Sequence, residues 1–162
     1  MIDVIKIASY ISQRYEYQYG SRIDEMKLQI LLYFIQRECI VRTGSSLFEA
    51  TFYAHPFGPY IPEVHAAYIS NSLHDVLQSS IIEEYKLIFD SVFEQLSAKK
   101  TRSLSNLIHG EGSWKRAMMQ GEGTPMDIQD IKEDATRFRL RRFLLSNLEQ
   151  FRKQSLCRHS DV

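Results

Sequence analysis

The stretch from Leu28 to Ile40 most narrows what this chain can become. Leu28, Ile30, Leu31, Leu32, Phe34, Ile35, Cys39 and Ile40 cover most of the circumference of a helix. A helix apolar on nearly every side has no face to give to water, so it belongs at the centre of a core. Its limits are also legible, with Asp24 as N-cap and Gly44 as C-terminal stop. The remaining pattern supplies the surround. Val4, Ala8, Ile11 and Tyr15 lay one stripe on a first helix, capped by Asp3 and stopped by Gly20. Pro62 can open a helix that reads from Glu63 to Leu77, with the polar SNSLHD blurring its end. Ile81, Tyr85, Ile88, Val92 and Leu96 predict one amphipathic helix over 81–96. Ser103 and Ser113 are candidate caps of two short helices, closed by Gly110 and Gly121. Thr124 or Asp127 opens a last helix, which carries Ile131, Ala135, Phe138, Leu140, Phe143, Leu144, Leu148 and Phe151 to about Lys153. Leu47 to Ala54 has strand character. The expected fold is mainly α: a compact multi-helix single domain with a small β-hairpin or β-ribbon element around residues 47–58.

At 162 residues the chain fits one domain with a core of its own. Lys plus Arg and Asp plus Glu both number 20, so net charge gives no argument for nucleic acid or membrane as a partner. Cys39 and Cys157 stand far apart without a CxxC, which is neither a disulfide framework nor a zinc pattern. The start of the chain has charge inside its apolar run and no small-residue cleavage site, unlike a signal peptide. No apolar run approaches the length of a membrane span. A reduced, cytoplasmic protein is the expectation.

Three of the four prolines, Pro56, Pro59 and Pro62, fall within seven residues, together with Gly58. Proline fixes φ and restrains the residue before it, while glycine admits backbone geometry that other residues resist. HPFGPYIP is therefore a stiff strap that turns the chain from strand to helix. Two readings stay open: a structural corner pinned to the core, and a rigid aromatic platform for a partner. Both hold together if Phe57 points inward and Tyr60 outward.

Four stretches resemble the Panacea, or SocA-like, antitoxin domain, in the family's order between Asp3 and about Glu133. KLQILLYF (27–34) resembles its KLQKLLYY-type helix, and LFEATFYAHPFGPYIPEVHAAY (47–68) its segment ending in GPVxPEVY. LSNLIHGEGSWKRA (104–117) and TPMDIQDIKE (124–133) are similar to its LSxLTH-to-PWxxA and closing segments. The motif positions carried over are Lys27, Leu31, Tyr33, Phe52, Ala54, Gly58, Pro59, Pro62, His109 and Trp114. Ile30, His55 and Gly112-Ser113 depart from the usual Lys, large aromatic and Pro. The resemblance implies a domain over residues 1–133; the residues beyond it read as an arginine-rich helix over 134–154, packed on or extending the domain, and a flexible tail over 155–162. It implies a phage-linked or bacterial toxin–antitoxin protein without catalytic activity, which neutralises a co-expressed toxin by binding it. One variant in the family hands its toxin to a protease. The toxins paired with this domain are chemically diverse.

The candidate contacts for a toxin are His55, Phe57, Tyr60 and His65, with Arg137, Arg141 and Arg142. RFRLRRF (137–143) sets Arg137 and Arg141 on one helical face, extended by Arg152, with Arg139 elsewhere. That face is a solvated surface, a stripe for an acidic toxin, or a DNA contact in an autoregulator. No metal is expected, because His65 and His74 fall on opposite sides of the predicted helix and nothing matches HExxH. His109 with Glu111 and Ser105 or Ser113 has the residue types of a catalytic set. The expectation is instead that His109 donates to the last carbonyls of its helix, beside a core Trp114. GEGSW and GEGTP lack the lysine of a phosphate loop, so no cofactor is expected.

Overall fold

The computed structural model describes residues 1–159. Its elements are α1 (Val4–Tyr19), α2 (Glu25–Thr43), β1 (Tyr53–His55), β2 (Gly58–Tyr60), α3 (Pro62–Ile69), α4 (Ser79–Glu84), α5 (Lys86–Leu96), α6 (Thr101–His109), α7 (Gly112–Gln120) and α8 (Ile128–His159). Helix α2 is the axle. Every residue from Lys27 to Gln36 is buried, and α1, α3, α5, α6, α8 and β2 all pack against it. The predicted caps of α1 and α2 are in place: Asp3 accepts from the Ile5 amide, Asp24 accepts from the Lys27 amide, and Gly20 and Gly44 end the helices in the left-handed region.

The polar residues of α2 fasten the segments around it. Gln29 donates to the Ile61 carbonyl (3.2 Å) and accepts from the Ile61 amide (3.0 Å). One face and seven residues on, Gln36 donates to Phe48 O (2.8 Å) and accepts from the Leu47 amide (2.8 Å). Each glutamine thus does for a loop what a neighbouring strand would do. Lys27, also buried, sends its ammonium to Ser97 O (2.9 Å), at the C-terminal end of α5. Buried polar groups are tolerated when bonded in this way.

The strand expected from Leu47 begins only at Tyr53, because residues 47 and 48 bond to Gln36 and Ile2 instead. β1 and β2 form an antiparallel hairpin with Tyr53 opposite Tyr60 and His55 opposite Gly58. Residues 123–126 run along its other side: the Ala54 amide donates to Thr124 O (2.9 Å) and the Met126 amide to Phe52 O (2.7 Å).

Several helix limits differ from those expected. α3 ends at Ile69, where Ser70 and Ser72 turn their hydroxyls onto the carbonyls of Ala66 and Ala67. His74 therefore lies outside the helix. The single helix expected over 81–96 is two, broken at Tyr85. α6 starts at Thr101, before Ser103, and α7 at Gly112, before Ser113. α8 opens behind Asp127, whose carboxylate accepts from the Gln129 amide (2.7 Å).

Among the described residues, the first half of α8 is the part buried against the body. Ile131, Asp134 and Ala135 are buried and Phe138 packs on the core. Farther on, Leu140, Phe143, Leu144, Leu145, Leu148, Phe151 and Leu156 are all more than half exposed. The helix continues past Lys153 to His159, so residues 155–159 of the expected tail are helical, while 160–162 lie outside the described residues. The expected boundary between 133 and 134 falls inside this one helix.

Candidate functional site

The tip of the hairpin is held by three consecutive backbone carbonyls. Trp114 donates its indole N–H to His55 O (2.8 Å), His109 donates from Nε2 to Pro56 O (2.8 Å), and the Ser105 hydroxyl donates to Phe57 O. His109 and Trp114 stack on each other with ring centroids 4.5 Å apart. His109 does stand at the end of α6 beside Trp114, but its hydrogen bond crosses to the hairpin rather than closing its own helix. Trp114 is half-buried. From the opposite side, Gly58 meets α2. A Cβ built on it would lie 3.2 Å from Ile30 Cγ1, and its φ of +153° is one that side chains resist. The backbone of the strap is thus fixed from both flanks.

The side chains that leave this strap reverse one expectation. Phe57 points out, 67% exposed, and Tyr60 is half-buried. The carbonyl of Phe57 is engaged by Ser105 on the inner side, which leaves its ring to solvent, beside Met26, Thr101, Arg102 and Asn106. Tyr60 instead stands between two imidazoles, His55 at 5.0 Å and His65 at 5.2 Å between centroids. This His–Tyr–His row ends in a carboxylate at each side: Glu122 at 3.5 Å from His55 Nδ1 and Glu25 at 2.6 Å from His65 Nδ1. Burial, with Glu25 nearby, pushes the Tyr60 phenol up. So three of the four ring-bearing candidates are brought together, His65 from α3 and the others from the hairpin, and Phe57 stands apart.

The arginine group forms a second locus, sharing no hydrogen bond, ion pair or ring contact with the row among the described residues. Arg142 grips Glu38 with both terminal nitrogens (3.2–3.4 Å). Arg37 and Arg142 lie over the Phe138 ring, at 4.1 and 4.7 Å from its centroid. Arg137 and Arg141 line a cleft of about 200 Å³ with Arg37, Gly112 and Phe138. The expected shared face of Arg137 and Arg141 is therefore realised, while Arg142 is turned to the body.

Beneath the cleft lies a buried polar cluster that the sequence reading missed. The Tyr33 hydroxyl meets Glu111 (3.1 Å), Ser113 (3.0 Å) and Asp134 (3.2 Å). Asp134 accepts from the amides of Gly112 (3.0 Å) and Ser113 (2.9 Å), so it caps α7 from another helix. That is why Ser113 is not the cap. Arg37 completes the cluster on Glu111. Burial drives the Tyr33 phenol far up, aided by Glu111 and Asp134. Burial also raises the Glu111 carboxyl, against the pull of Arg37 and with a push from Asp134. One signal was available: Asp134 is a carboxylate on the apolar face of an amphipathic helix, where only a bonded group survives.

The residues with catalytic types are drawn to different partners. His109 and Ser105 hold successive carbonyls of the hairpin, while Glu111 and Ser113 sit in the Tyr33 cluster. Among the described residues, no three His, Cys, Asp or Glu side chains are disposed to hold a metal ion, and no helix is long and apolar enough to cross a membrane.

Fold and site together define a mainly helical domain, built on one buried helix, with a clamped proline hairpin presenting rings at its surface. The family model of the antitoxin SocA-like Panacea domain matches residues 28–115, more than half of the chain, and the chain belongs to that family. Its membership supports an antitoxin role. Comparison with curated proteins and with solved structures gave no match.

Proposed function

We propose that this protein neutralises a cognate toxin of a bacterial or phage toxin–antitoxin system by binding it directly in the cytoplasm. The observation that carries the reading is the Panacea match over residues 28–115, which spans the buried axle, the clamped hairpin and Trp114. The mechanism is steric occlusion, without a cofactor or a chemical step. The geometry favours it because the hairpin is a stiff platform, and stiff rings bind with little loss of side-chain entropy. Phe57 and the His55–Tyr60–His65 row supply that platform, and Arg137 and Arg141 supply exposed charge.

The test is co-expression with the product of the neighbouring reading frame. The expected result is that this product alone halts growth, that the present chain restores it, and that the two co-purify with the toxin intact. Restored growth with loss of the toxin would turn the reading to a protease adaptor. Binding to the operon's own promoter with a steep salt dependence and no complex with the toxin would turn it to a DNA-binding regulator. Absence of rescue overturns the antitoxin reading.

A further inference from the structure

The second half of α8 carries large apolar side chains with nothing packed against them among the described residues. Its large side chains, Leu144, Leu148 and Phe151 among them, are 52–73% exposed. Contiguous apolar surface of this kind marks an interaction site. Its charge is equally lopsided. Residues 137–159 hold seven Arg and Lys against the single Glu149, while the preceding 136 residues hold thirteen against eighteen Asp and Glu. Among the described residues, only Arg142 of this set is tied to a carboxylate of the body, Glu38.

The position of the arginines selects the occupant. Arg141 and Arg152 are eleven residues apart, which on a helix means three turns, a rotation of about 20° and a separation of about 16 Å. Both fall inside the arc occupied by Leu144, Leu145 and Leu148, not on the opposite face. A helix that lies on a lipid surface keeps its cations on the polar face and flanks. Duplex DNA has no use for bare leucines between the guanidinium groups. A second copy of this helix would set seven cations against seven. A facing protein helix with leucines and two carboxylates in register meets all of these features at once.

We infer that the overhang of α8, from Leu140 to Leu156, is a docking face for an acidic amphipathic helix of a partner protein. Arg141 and Arg152 pair with carboxylates of that helix, three of its turns apart. The inference rests on the antitoxin reading only in naming that partner as the toxin. At its foot the face opens into a groove of about 610 Å³ between α2, α5, α6 and α8, walled by Phe34, Val92, Leu107 and Phe138. An occupant lying along α8 therefore runs on toward the core.

The test uses the full chain and four probes. These are an amphipathic peptide with leucines at heptad positions and glutamates eleven residues apart, the same peptide with lysines for the glutamates, phosphatidylglycerol vesicles, and a short DNA duplex. The glutamate peptide is expected to bind, and Leu144→Asp with Leu148→Asp to abolish binding at unchanged circular dichroism. Arg141→Glu with Arg152→Glu should reverse the preference in favour of the lysine peptide by about tenfold or more. No binding of the glutamate peptide, equal affinity for both peptides, tighter binding to vesicles or DNA, or a homodimer lost in Leu148→Asp would overturn the proposal. The growth assay separates the two readings. Rescue retained by the Leu144→Asp, Leu148→Asp chain overturns this surface alone. No rescue by the unmodified chain overturns the antitoxin reading alone, since the peptide measurement needs no toxin.

Discussion

At Gly58 and Glu111, single residues decide what the surroundings can bear. Gly58 combines a φ of +153° with the side chain of Ile30 directly behind it. In Gly58→Val, backbone strain costs about 1–3 kcal/mol. Overpacking against α2 adds a comparable ~1–3 kcal/mol. Urea unfolding should show the loss, and a midpoint equal to that of the unmodified chain would remove the strain argument. Glu111 makes a pH prediction. Its carboxyl is raised by burial, so between the ordinary glutamate range and the raised value the folded state holds a proton that the unfolded state has released. Its stabilising contribution is complete below that window and disappears as pH rises through it. Unfolding midpoints measured across this window should fall with pH in the unmodified chain, and this component should be missing in Glu111→Gln. Gln29 and Gln36 show where sequence reading stops at this scale. Seven apart in an apolar helix, they share a face, but which loop each would hold depends on long-range packing that no local pattern carries.

Among the elements, those set by their own sequence were legible and those set by neighbours were not. α1 and α2 carry their stripes, caps and glycine stops within themselves, and they stand as the sequence predicts. α7 receives its cap from Asp134, twenty-one residues beyond Ser113, and so its start was misplaced. The break at Tyr85 divides a stripe that is continuous in sequence. The stiffness of the strap was recognisable from its prolines, but its second strand, Gly58–Tyr60, was not, and nor was the direction of Phe57, which goes with the carbonyl that Ser105 engages. The anchoring of this element is testable. Ser105→Ala and His109→Ala each remove one side-chain hydrogen bond to the turn, at about 0.5–1.5 kcal/mol. Amide exchange should quicken at residues 53–60 while α2 stays protected. Equal loss of protection in both elements would mean that the hairpin has no opening of its own.

The molecule as a whole joins an acidic body to a basic overhang, and a net charge of zero concealed the division. The core could be read from sequence because an all-apolar helix admits few arrangements. The arginine stripe could be read as a face but not as a protrusion, since nothing in the periodicity of α8 says where the body beneath it ends. The hydrogen bond from Tyr33 to Asp134 spans 101 positions of the chain and joins the axle to the first turns of the last helix. During synthesis, then, the central helix emerges from the ribosome long before the group that locks it. A nascent chain stalled short of Asp134 presents Leu28 to Val41 without one of its walls and α7 without its cap. Fragments of this kind expose apolar surface of the sort that chaperones and proteases engage, and the core closes only once Asp134 has been made.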